Sequence, residues 1–275
     1  NTNSYNVFLG KGSGKYNSGQ YNAFMGYQAG QKNSSGFNNV FIGNKSGYYN
    51  TTGNNNVFLG FEAGLRSNSS YNSFIGYQAG RNFSTGKYNT FIGYQAGNAS
   101  ITQGVGNDNV AIGYKAGSNL TTGRDNVFIG TQAGDSATTA FENTLIGYQA
   151  GKDLTSGQRN IALGYLAGKG LTTNSRNVLI GEYAGYSLSS GICNAFMGTY
   201  TGYLKTSGDN NTFLGYDVGF ENYAGSSNTF IGFWSGRWSK GDSCVFIGSN
   251  AGAVETTSNK LYIDNKNRST PLIWG

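Results

Sequence analysis

Two groups of side chains in this sequence have the chemistry of a ligand-binding surface, and both are built on aromatic rings. The first group follows a recurring glycine: the next residue is often Tyr or Phe, frequently followed by Gln, Lys or Glu, as at Tyr77, Tyr94 and Tyr114. Exposed rings beside amides and charges are typical of carbohydrate-binding surfaces. Rings at one repeated position can instead stack as a ladder that stabilises the fold, which is the interpretation we favour.

The second group lies near the end of the sequence. Phe233, Trp234, Arg237 and Trp238 bring three rings and a positive charge together, with Lys240 close by. We predict that this cluster is a contact site for a ligand. The alternative interpretation is a cap that closes the last part of the fold.

The remaining reactive side chains form no catalytic pattern. The chain has no histidine, which removes the commonest general base and the commonest metal ligand. Its carboxylates are few and scattered, and aspartate does not recur at the fixed turn positions that a calcium-binding repeat requires. We therefore predict a protein that is not an enzyme and that has no metal site and no cofactor.

Charge and hydropathy exclude two further classes of protein. The net charge of +6 is spread along the chain without a run of like charges, so we expect no nucleic-acid partner. No stretch approaches the ~20 apolar residues of a transmembrane helix, so we expect no membrane insertion. Cys193 and Cys244 fall three repeats apart, which predicts a separation too large for a disulfide within one chain.

One repeat, Asn-x-x-[Ile/Leu/Met]-Gly-x-x-[small]-Gly, positions all of these side chains and returns 15 times, with Cys244 in place of the asparagine in the last copy. We number each copy from its first glycine as zero, so that the asparagine is position −4 and the second glycine is +4. Successive copies are 16 or 17 residues apart, with one gap of 20. This period predicts an all-β parallel solenoid of about 15 coils, one per repeat. The first glycines are Gly10, Gly26, Gly43, Gly60, Gly76, Gly93, Gly113, Gly130, Gly147, Gly164, Gly181, Gly198, Gly215, Gly232 and Gly248.

The longest gap between copies places three extra residues within 98–107. Insertions in solenoids form loops on one face, which is often the binding face. This segment is therefore a small candidate recognition loop. The asparagine at −4 has a structural interpretation, because identical side chains one coil apart can hydrogen-bond along the stack.

Positions −3 to −1 of each copy predict a short strand that is apolar on both faces. Position −1 is Ile, Leu or Met in every copy and faces the same side as −3, whereas −2 faces the opposite side and is Phe in 11 of 15 copies. If the −1 row fills the narrow interior, the Phe row leaves roughly 800 Å² of apolar surface, above the ~300–600 Å² usual for a monomer. If the Phe row fills the interior instead, the −1 row is exposed. A third possibility is a coil wide enough to bury both rows.

We predict that another copy of the chain covers the outward row, because a linear stripe is matched in register by an equally long one. With the −1 row inside, the predicted oligomer interface is the row of phenylalanines at −2. These residues are Phe8, Phe24, Phe41, Phe58, Phe74, Phe91, Phe128, Phe196, Phe213, Phe230 and Phe246.

The repeat resembles that of a known class of fibrous proteins. The segment 109–117, Asn-Val-Ala-Ile-Gly-Tyr-Lys-Ala-Gly, is similar to the head repeat of trimeric autotransporter adhesins. The Gly-Tyr-Gln-Ala-Gly segments at 76–80 and 93–97 resemble arrays in phage and phage-like tail fibres and related surface fibres. This resemblance implies a left-handed parallel β-roll assembled as a homotrimer. The period of 16–17 residues and the Phe at −2 depart from the adhesin repeat and suggest a wider coil or a bulkier seam.

The resemblance also implies a domain organisation. Residues 1–258 form the solenoid domain, and 259–275 resemble the exit segment that precedes an intramolecular chaperone in such fibres. That chaperone assembles the trimer and cleaves itself away, so an end at Gly275 fits either a cleaved product or a truncated chain. The absence of an initial Met suggests a processed product or a fragment.

We therefore expect a structural fibre or adhesin head that attaches to a receptor or polysaccharide on a target cell. Its location would be extracellular, on a cell surface or on a virion or phage-like tail. The alternative function is an ice-binding β-solenoid, suggested by paired threonines such as Thr51-Thr52, Thr121-Thr122 and Thr172-Thr173. Against it, neighbouring strand residues point in opposite directions, so a flat threonine face is missing.

Overall fold

A computed structural model describes residues 5–99, 104–266 and 272–274, and the side chain of Trp274 is not among the parts described. The chain divides into two compact units, Asn1–Phe141 (unit 1) and Glu142–Gly275 (unit 2). Each unit is a parallel β-solenoid, and no helix occurs in these described ranges. The predicted all-β solenoid of about 15 coils is confirmed.

Each coil of unit 1 contributes one strand of three residues at positions −3 to −1, as predicted. Neighbouring strands pair in parallel and in register, so that Phe24 lies opposite Phe41 and Phe41 lies opposite Phe58. The strands are β1 (Val7–Leu9), β2 (Ala23–Met25), β3 (Val40–Ile42), β4 (Val57–Leu59), β5 (Ser73–Ile75), β6 (Thr90–Ile92), β7 (Val110–Ile112) and β8 (Val127–Ile129).

Unit 2 repeats this arrangement and then departs from it at its end. Its strand β16 lies in the predicted exit segment and pairs in parallel with β15, whereas β17 pairs antiparallel with β16. The strands are β9 (Thr144–Ile146), β10 (Ile161–Leu163), β11 (Val178–Ile180), β12 (Ala195–Met197), β13 (Thr212–Leu214), β14 (Thr229–Ile231), β15 (Val245–Ile247), β16 (Leu261–Ile263) and β17 (Ile273–Trp274).

The interior of each unit is lined by the −2 row, which corrects the predicted orientation of the strands. Apart from Phe8, which is 37% exposed, all the phenylalanines of the predicted interface have no accessible surface even in a single chain. Consecutive rings stack inside the coil, as between Phe213 and Phe230, whose centroids are 4.9 Å apart with planes 2° from parallel. These buried rings therefore do not form an oligomer interface.

The second glycine of each repeat explains why the rings point inward. Gly47 has φ +58°, and a Cβ there would lie 2.6 Å from two ring atoms of Phe41 in the same coil. A side chain at +4 would displace the ring, so glycine leaves the interior space that Phe fills. At the first glycine, Gly43, a Cβ would lie 2.3 Å from the carbonyl oxygen of Gly60 in the next coil. Both glycines are thus required by close approach.

A second interior row lies at position +7 and complements the −2 row in size. Where −2 is Ala162 or Leu179, position +7 is Leu171 or Leu188, and all four side chains are fully buried. Where −2 is Phe58, position +7 is the smaller Ser67, also fully buried. This compensation does not extend to every coil, since Phe74 at −2 and Phe83 at +7 of one copy are both fully buried.

The asparagine row at −4 forms the predicted ladder. Asn39 Oδ1 accepts a hydrogen bond from the backbone N–H of Asn56 at 3.0 Å and another from Asn56 Nδ2 at 3.1 Å. Asn56 Nδ2 also donates to the carbonyl oxygen of Ser69 at 2.7 Å. The same pattern recurs in unit 2, where Asn194 Oδ1 accepts from Asn211. Each buried amide is therefore satisfied by the adjacent coils.

The −1 row faces outward in both units. Met25, Ile42 and Leu214 are 43%, 39% and 46% exposed, while the residue before each of them in the strand is fully buried. An apolar row consequently remains on the surface of each unit, as predicted, but it consists of aliphatic side chains and not of phenylalanine.

Candidate functional site

The aromatic residues at position +1 form a stacked ladder on the surface of unit 1. The ring centroids of Tyr77 and Tyr94 are 5.0 Å apart with planes 6° from parallel, and those of Tyr94 and Tyr114 are 5.3 Å apart. These three tyrosines are 42–45% exposed. The ladder interpretation is confirmed, and a role of the same residues in ligand binding stays a prediction.

Stacking limits what this ladder can contact. Each inner ring has a neighbour over both faces, so its outer surface consists of the ring edge and the hydroxyl group. A sugar that packs flat against an aromatic ring needs an open face. The ladder therefore offers a row of hydroxyl groups to a ligand, and flat stacking is restricted to its ends.

The structure brings the predicted cluster near the end of the chain together. The Arg237 guanidinium lies 4.5 Å from the ring centroids of both Trp234 and Trp238, and the ring of Phe233 stacks on Trp234 at 4.8 Å. Arg237 also pairs with Asp217 at 3.2 Å, and both side chains are largely buried. The cation–π contacts and the ion pair hold the cluster as one rigid group.

Asp217 is the acidic partner inside this group. Burial raises the pKa of its carboxyl, and the neighbouring Arg237 guanidinium acts in the opposite direction. The pair replaces water around both charges, so that neither the carboxylate nor the guanidinium is free for a ligand. In this cluster Phe233 is exposed, and Trp234 and Trp238 are partly exposed.

The cluster continues into a wider aromatic surface that the sequence reasoning missed. We define the aromatic belt as the rings at +2 and +5 of successive coils in unit 2, together with Trp238. Rings within a column stack, as for Tyr203 and Phe220 at 5.1 Å, and rings of the two columns meet edge to face, as for Tyr200 and Tyr203 at 5.4 Å. The belt consists of Tyr183, Tyr186, Tyr200, Tyr203, Phe220, Trp234 and Trp238.

A signal for the belt is present in the sequence. The +2 and +5 positions carry Gln, Lys, Glu or other polar residues in most copies, and the belt is the set of neighbouring copies in which rings replace them. Burial among these rings raises the pKa of Tyr183 and Tyr200 above the ordinary value. Their hydroxyl groups therefore remain protonated in neutral and mildly alkaline solution and can act as hydrogen-bond donors.

The corresponding positions of unit 1 are mostly polar. Gln95 donates to Gln78 at 2.9 Å, and Gln78 and Arg81 both donate to Glu62, at 3.0 and 2.6 Å. Desolvation raises the pKa of the Glu62 carboxyl, but the hydrogen bonds from Arg81 and Gln78 outweigh it and leave the pKa below its ordinary value. This face is a ladder of polar contacts between coils.

Unit 1 also has an open pocket of about 420 Å³. Two exposed rings, Tyr21 and Phe37, line it together with the amides of Gln20 and Asn38. Rings beside amides have the chemistry of a single-sugar site. Of the predicted insertion loop within 98–107, residues 100–103 lie outside the described residues.

The paired threonines use their hydroxyl groups within the fold. Thr51 Oγ1 donates to Asn68 Oδ1 at 2.9 Å, and Thr121 Oγ1 donates to the carbonyl oxygen of Thr138 at 2.9 Å. Within the described part of the chain, we find no cluster of three or more acidic or cysteine side chains placed to hold a metal ion. The same part contains no helix of the length and hydropathy needed to cross a membrane.

Comparison with known proteins gives no match to a protein-family model, to a curated protein or to a solved structure. The resemblance to adhesin heads and tail fibres therefore depends on the repeat residues alone. It supplies a hypothesis about function.

Proposed function

We propose that this chain is a non-enzymatic structural component of an extracellular fibre or adhesin head that assembles as a homotrimer and mediates attachment to a target cell. The observation that carries the proposal is the outward −1 row, an in-register column of aliphatic side chains on each unit. Paired strands place these side chains directly above one another, as for Ile180, Met197 and Leu214. A continuous apolar column of this kind is costly in water and favours burial against an equal column.

The remaining features support a mechanical role. In each unit, backbone hydrogen bonds, the asparagine ladder and stacked interior rings repeat from coil to coil. Repeated contacts of this kind give a stiff element whose stability increases with each added coil. The trimer and the left-handed roll come from the resemblance to adhesin heads and tail fibres, and they stay part of the proposal.

Assembly is tested by native mass measurement of the purified chain. We expect the mass of three 29.2 kDa chains, and we expect the double variant Ile180→Glu/Leu214→Glu to be a monomer. The matched control is Tyr216→Glu, because Tyr216 and Leu214 are equally exposed on different rows. A wild-type chain that stays monomeric at micromolar concentration would overturn the assembly proposal.

We propose that the aromatic belt is the contact surface for a cell-surface polysaccharide or receptor. The belt joins half-buried rings to protonated hydroxyl groups, and this combination of an apolar body with a polar edge is frequent in recognition surfaces. It includes the predicted residues Trp234 and Trp238, with Phe233 and Arg237 packed against them. The location that fits this role is outside the cell, on a cell surface, a virion or a phage-like tail.

Attachment is tested by binding to whole cells and to a glycan array. Trp238→Ala should reduce binding at least tenfold, whereas Tyr77→Ala on the ladder of unit 1 should leave it nearly unchanged. The reverse pattern would move the contact surface to the tyrosine ladder. An array and a panel of cells without any signal would remove the attachment role and leave the proposed fibre assembly unaffected.

A further inference from the structure

A lysine occupies the interior of unit 2. Lys205 lies at +7, the interior row that carries Leu154, Leu171 and Leu188 in the three preceding coils of this unit, and it has no accessible surface. An ammonium group in such an interior is costly unless other groups compensate for the lost water. The contacts of Lys205 therefore require an explanation that its leucine counterparts do not.

The lysine nitrogen contacts neutral oxygen atoms of the following coil. Lys205 Nζ donates to Asn222 Oδ1 at 2.7 Å, to the carbonyl oxygen of Asn222 at 3.3 Å and to that of Gly225 at 2.5 Å. The ring of Phe213 lies 5.8 Å away. Among the described residues, no carboxylate is within ion-pair distance of this nitrogen.

The protonation of Lys205 follows from this environment. Burial lowers the pKa of its amine to about 7, and the more distant carboxylates of Asp242 and Asp209 act in the opposite direction. A large share of the molecules therefore carries the neutral amine at neutral pH. A neutral lysine amine is a nucleophile, whereas the ammonium form is not.

The asparagine partner is held in a fixed orientation. Asn222 is fully buried, and its Nδ2 donates to the carbonyl oxygen of Ser239 at 2.9 Å while its Oδ1 accepts from Lys205. One side of the amide thus faces the lysine and the other side is anchored on the next coil. Two reactants held in contact inside a rigid, dry interior react far faster than the same groups in free solution.

We propose that Lys205 and Asn222 form an isopeptide bond that links two neighbouring coils of unit 2. The lone pair of Lys205 Nζ attacks Cγ of Asn222, so that a bond between Nζ and Cγ forms and the bond between Cγ and Nδ2 breaks. Nδ2 takes one proton of the attacking amine and leaves as ammonia. The product is a secondary amide, and no oxidant, reductant or cofactor is needed.

The bond would act as a permanent link within the interior. Because no carboxylate of the described part of the chain contacts the pair to transfer the proton, we expect a slow reaction that begins only after the chain has folded. The link closes a loop between residues 205 and 222 and restricts the unfolded chain, as a disulfide of the same span would. Unlike a disulfide, it is insensitive to reducing agents.

The test is the intact mass of the full chain after prolonged incubation of the folded protein at neutral pH. We expect the wild type to lose the mass of one ammonia. Trypsin cuts after lysine and arginine, so an unlinked chain yields the separate peptides 177–205 and 206–237. The linked chain yields one peptide spanning 177–237 that lacks one ammonia and contains the bridge.

Two controls separate this reaction from cyclisation of an asparagine to a succinimide, which also releases ammonia. The loss should disappear in Lys205→Met, and fragmentation of the wild-type peptide 177–237 should place the bridge between Lys205 and Asn222. A wild-type mass that does not change overturns the proposal, as does an ammonia loss that persists in Lys205→Met. If this variant fails to fold, the tryptic peptides of the wild type decide the question alone.

Discussion

In three successive coils of unit 1 the interior +7 row carries Asn33, Asn50 and Ser67, whereas in four successive coils of unit 2 it carries Leu154, Leu171, Leu188 and Lys205. The outer face at +2 and +5 also differs, since coils of unit 1 carry polar pairs such as Gln95 with Gln78, whereas the coils of the aromatic belt in unit 2 carry ring pairs such as Tyr200 with Tyr203. The backbone is the same in both units, with three-residue strands and, in all but the first and last copies, a buried asparagine at −4.

This difference shows which parts of the repeat maintain the fold and which parts are free to vary. The glycines, the −4 asparagine and the −2 row recur in both units because their contacts are to neighbouring coils. The +7 row varies more widely, from Ser67 to Phe83, so the interior accepts side chains of different volume at this position. The +2 and +5 positions lie at the surface, so they can acquire a binding role without any change to the interior.

The largest expected effect is on how the free energy of unfolding of unit 2 depends on pH. It distinguishes the buried Lys205 from the leucines at the same position of the preceding coils. While the Lys205 amine is free, its folded pKa of about 7 lies below the ordinary 10.5. Below pH 7 the Lys205 amine is protonated in both the folded and the unfolded state, so the full free-energy cost of burying its charge is present. Between pH 7 and 10.5 the unfolded state binds the proton that the folded state has released, so stability should rise by roughly 5 kcal/mol.

Denaturant unfolding as a function of pH measures this rise. Lys205→Met should remove it, which isolates the lysine from the tyrosines and cysteines that titrate in the same range. Chains linked through Lys205 and Asn222 should also lack it, because an amide does not titrate. An unlinked wild type with the same profile as Lys205→Met would show that the amine is not desolvated.

The next effect tests the row that both units share. Phe58→Ala in unit 1 and Phe230→Ala in unit 2 should each lower the free energy of unfolding by about 3–5 kcal/mol, because each removes a fully buried ring from a stack. The matched substitutions Leu59→Ala and Ile231→Ala on the outward row should cost about 1 kcal/mol in a monomeric chain. Equal losses from both rows would contradict the assigned orientation of the strands.

A smaller effect separates the two kinds of +7 row. Leu171→Ala should cost about 3 kcal/mol, since it leaves a cavity next to Ala162. Asn50→Ala should change stability by less than about 1 kcal/mol, because both amide atoms of Asn50 are buried without a hydrogen-bond partner in the structure. Thermal unfolding of the two variants gives the comparison, and a loss of similar size for Asn50→Ala would indicate bound water at this amide.

The smallest expected change in stability concerns the outer face. Tyr200→Gln gives unit 2 the residue that unit 1 has at Gln95, and it should cost less than about 1 kcal/mol because ring contacts at a surface are weak. If the aromatic belt binds a ligand, the same substitution should reduce binding at least tenfold. Unchanged binding, measured with the ligand found on the array, would exclude Tyr200 from the contact surface.

The sequence pattern predicted the strands, the coil length, the asparagine ladder and the stacking of Tyr77 on Tyr94. It did not predict which side of the strand faces inward. Both the −1 row and the −2 row are apolar, so the alternation along the strand places them on opposite faces without showing which face is inside. Two signals for the correct choice were present. One is the glycine at +4, which leaves space for a ring, and the other is the size compensation between Ala162 and Leu171.

The candidate site was predicted only in part. The ring pairs around Trp234 and Trp238 are close in sequence, so local spacing was sufficient to find them. The belt joins residues of different coils, and Lys205 meets Asn222 only because consecutive coils stack in register. Lys205, followed by Thr206, Ser207 and Gly208, carries no sign of burial in the sequence until its row is known.

The sequence by itself determines the repeat and therefore the kind of fold. Glycines recur where the backbones of neighbouring coils approach closely, and asparagines recur where they hydrogen-bond between coils, so each sequence repeat forms one coil. Only the tertiary structure decides that the phenylalanines fill the interior, that aliphatic side chains remain outside and that a lysine amine lies against an amide. These facts depend on which coil stacks on which and on the volume inside each coil, and both arise from contacts between residues that the chain itself keeps far apart.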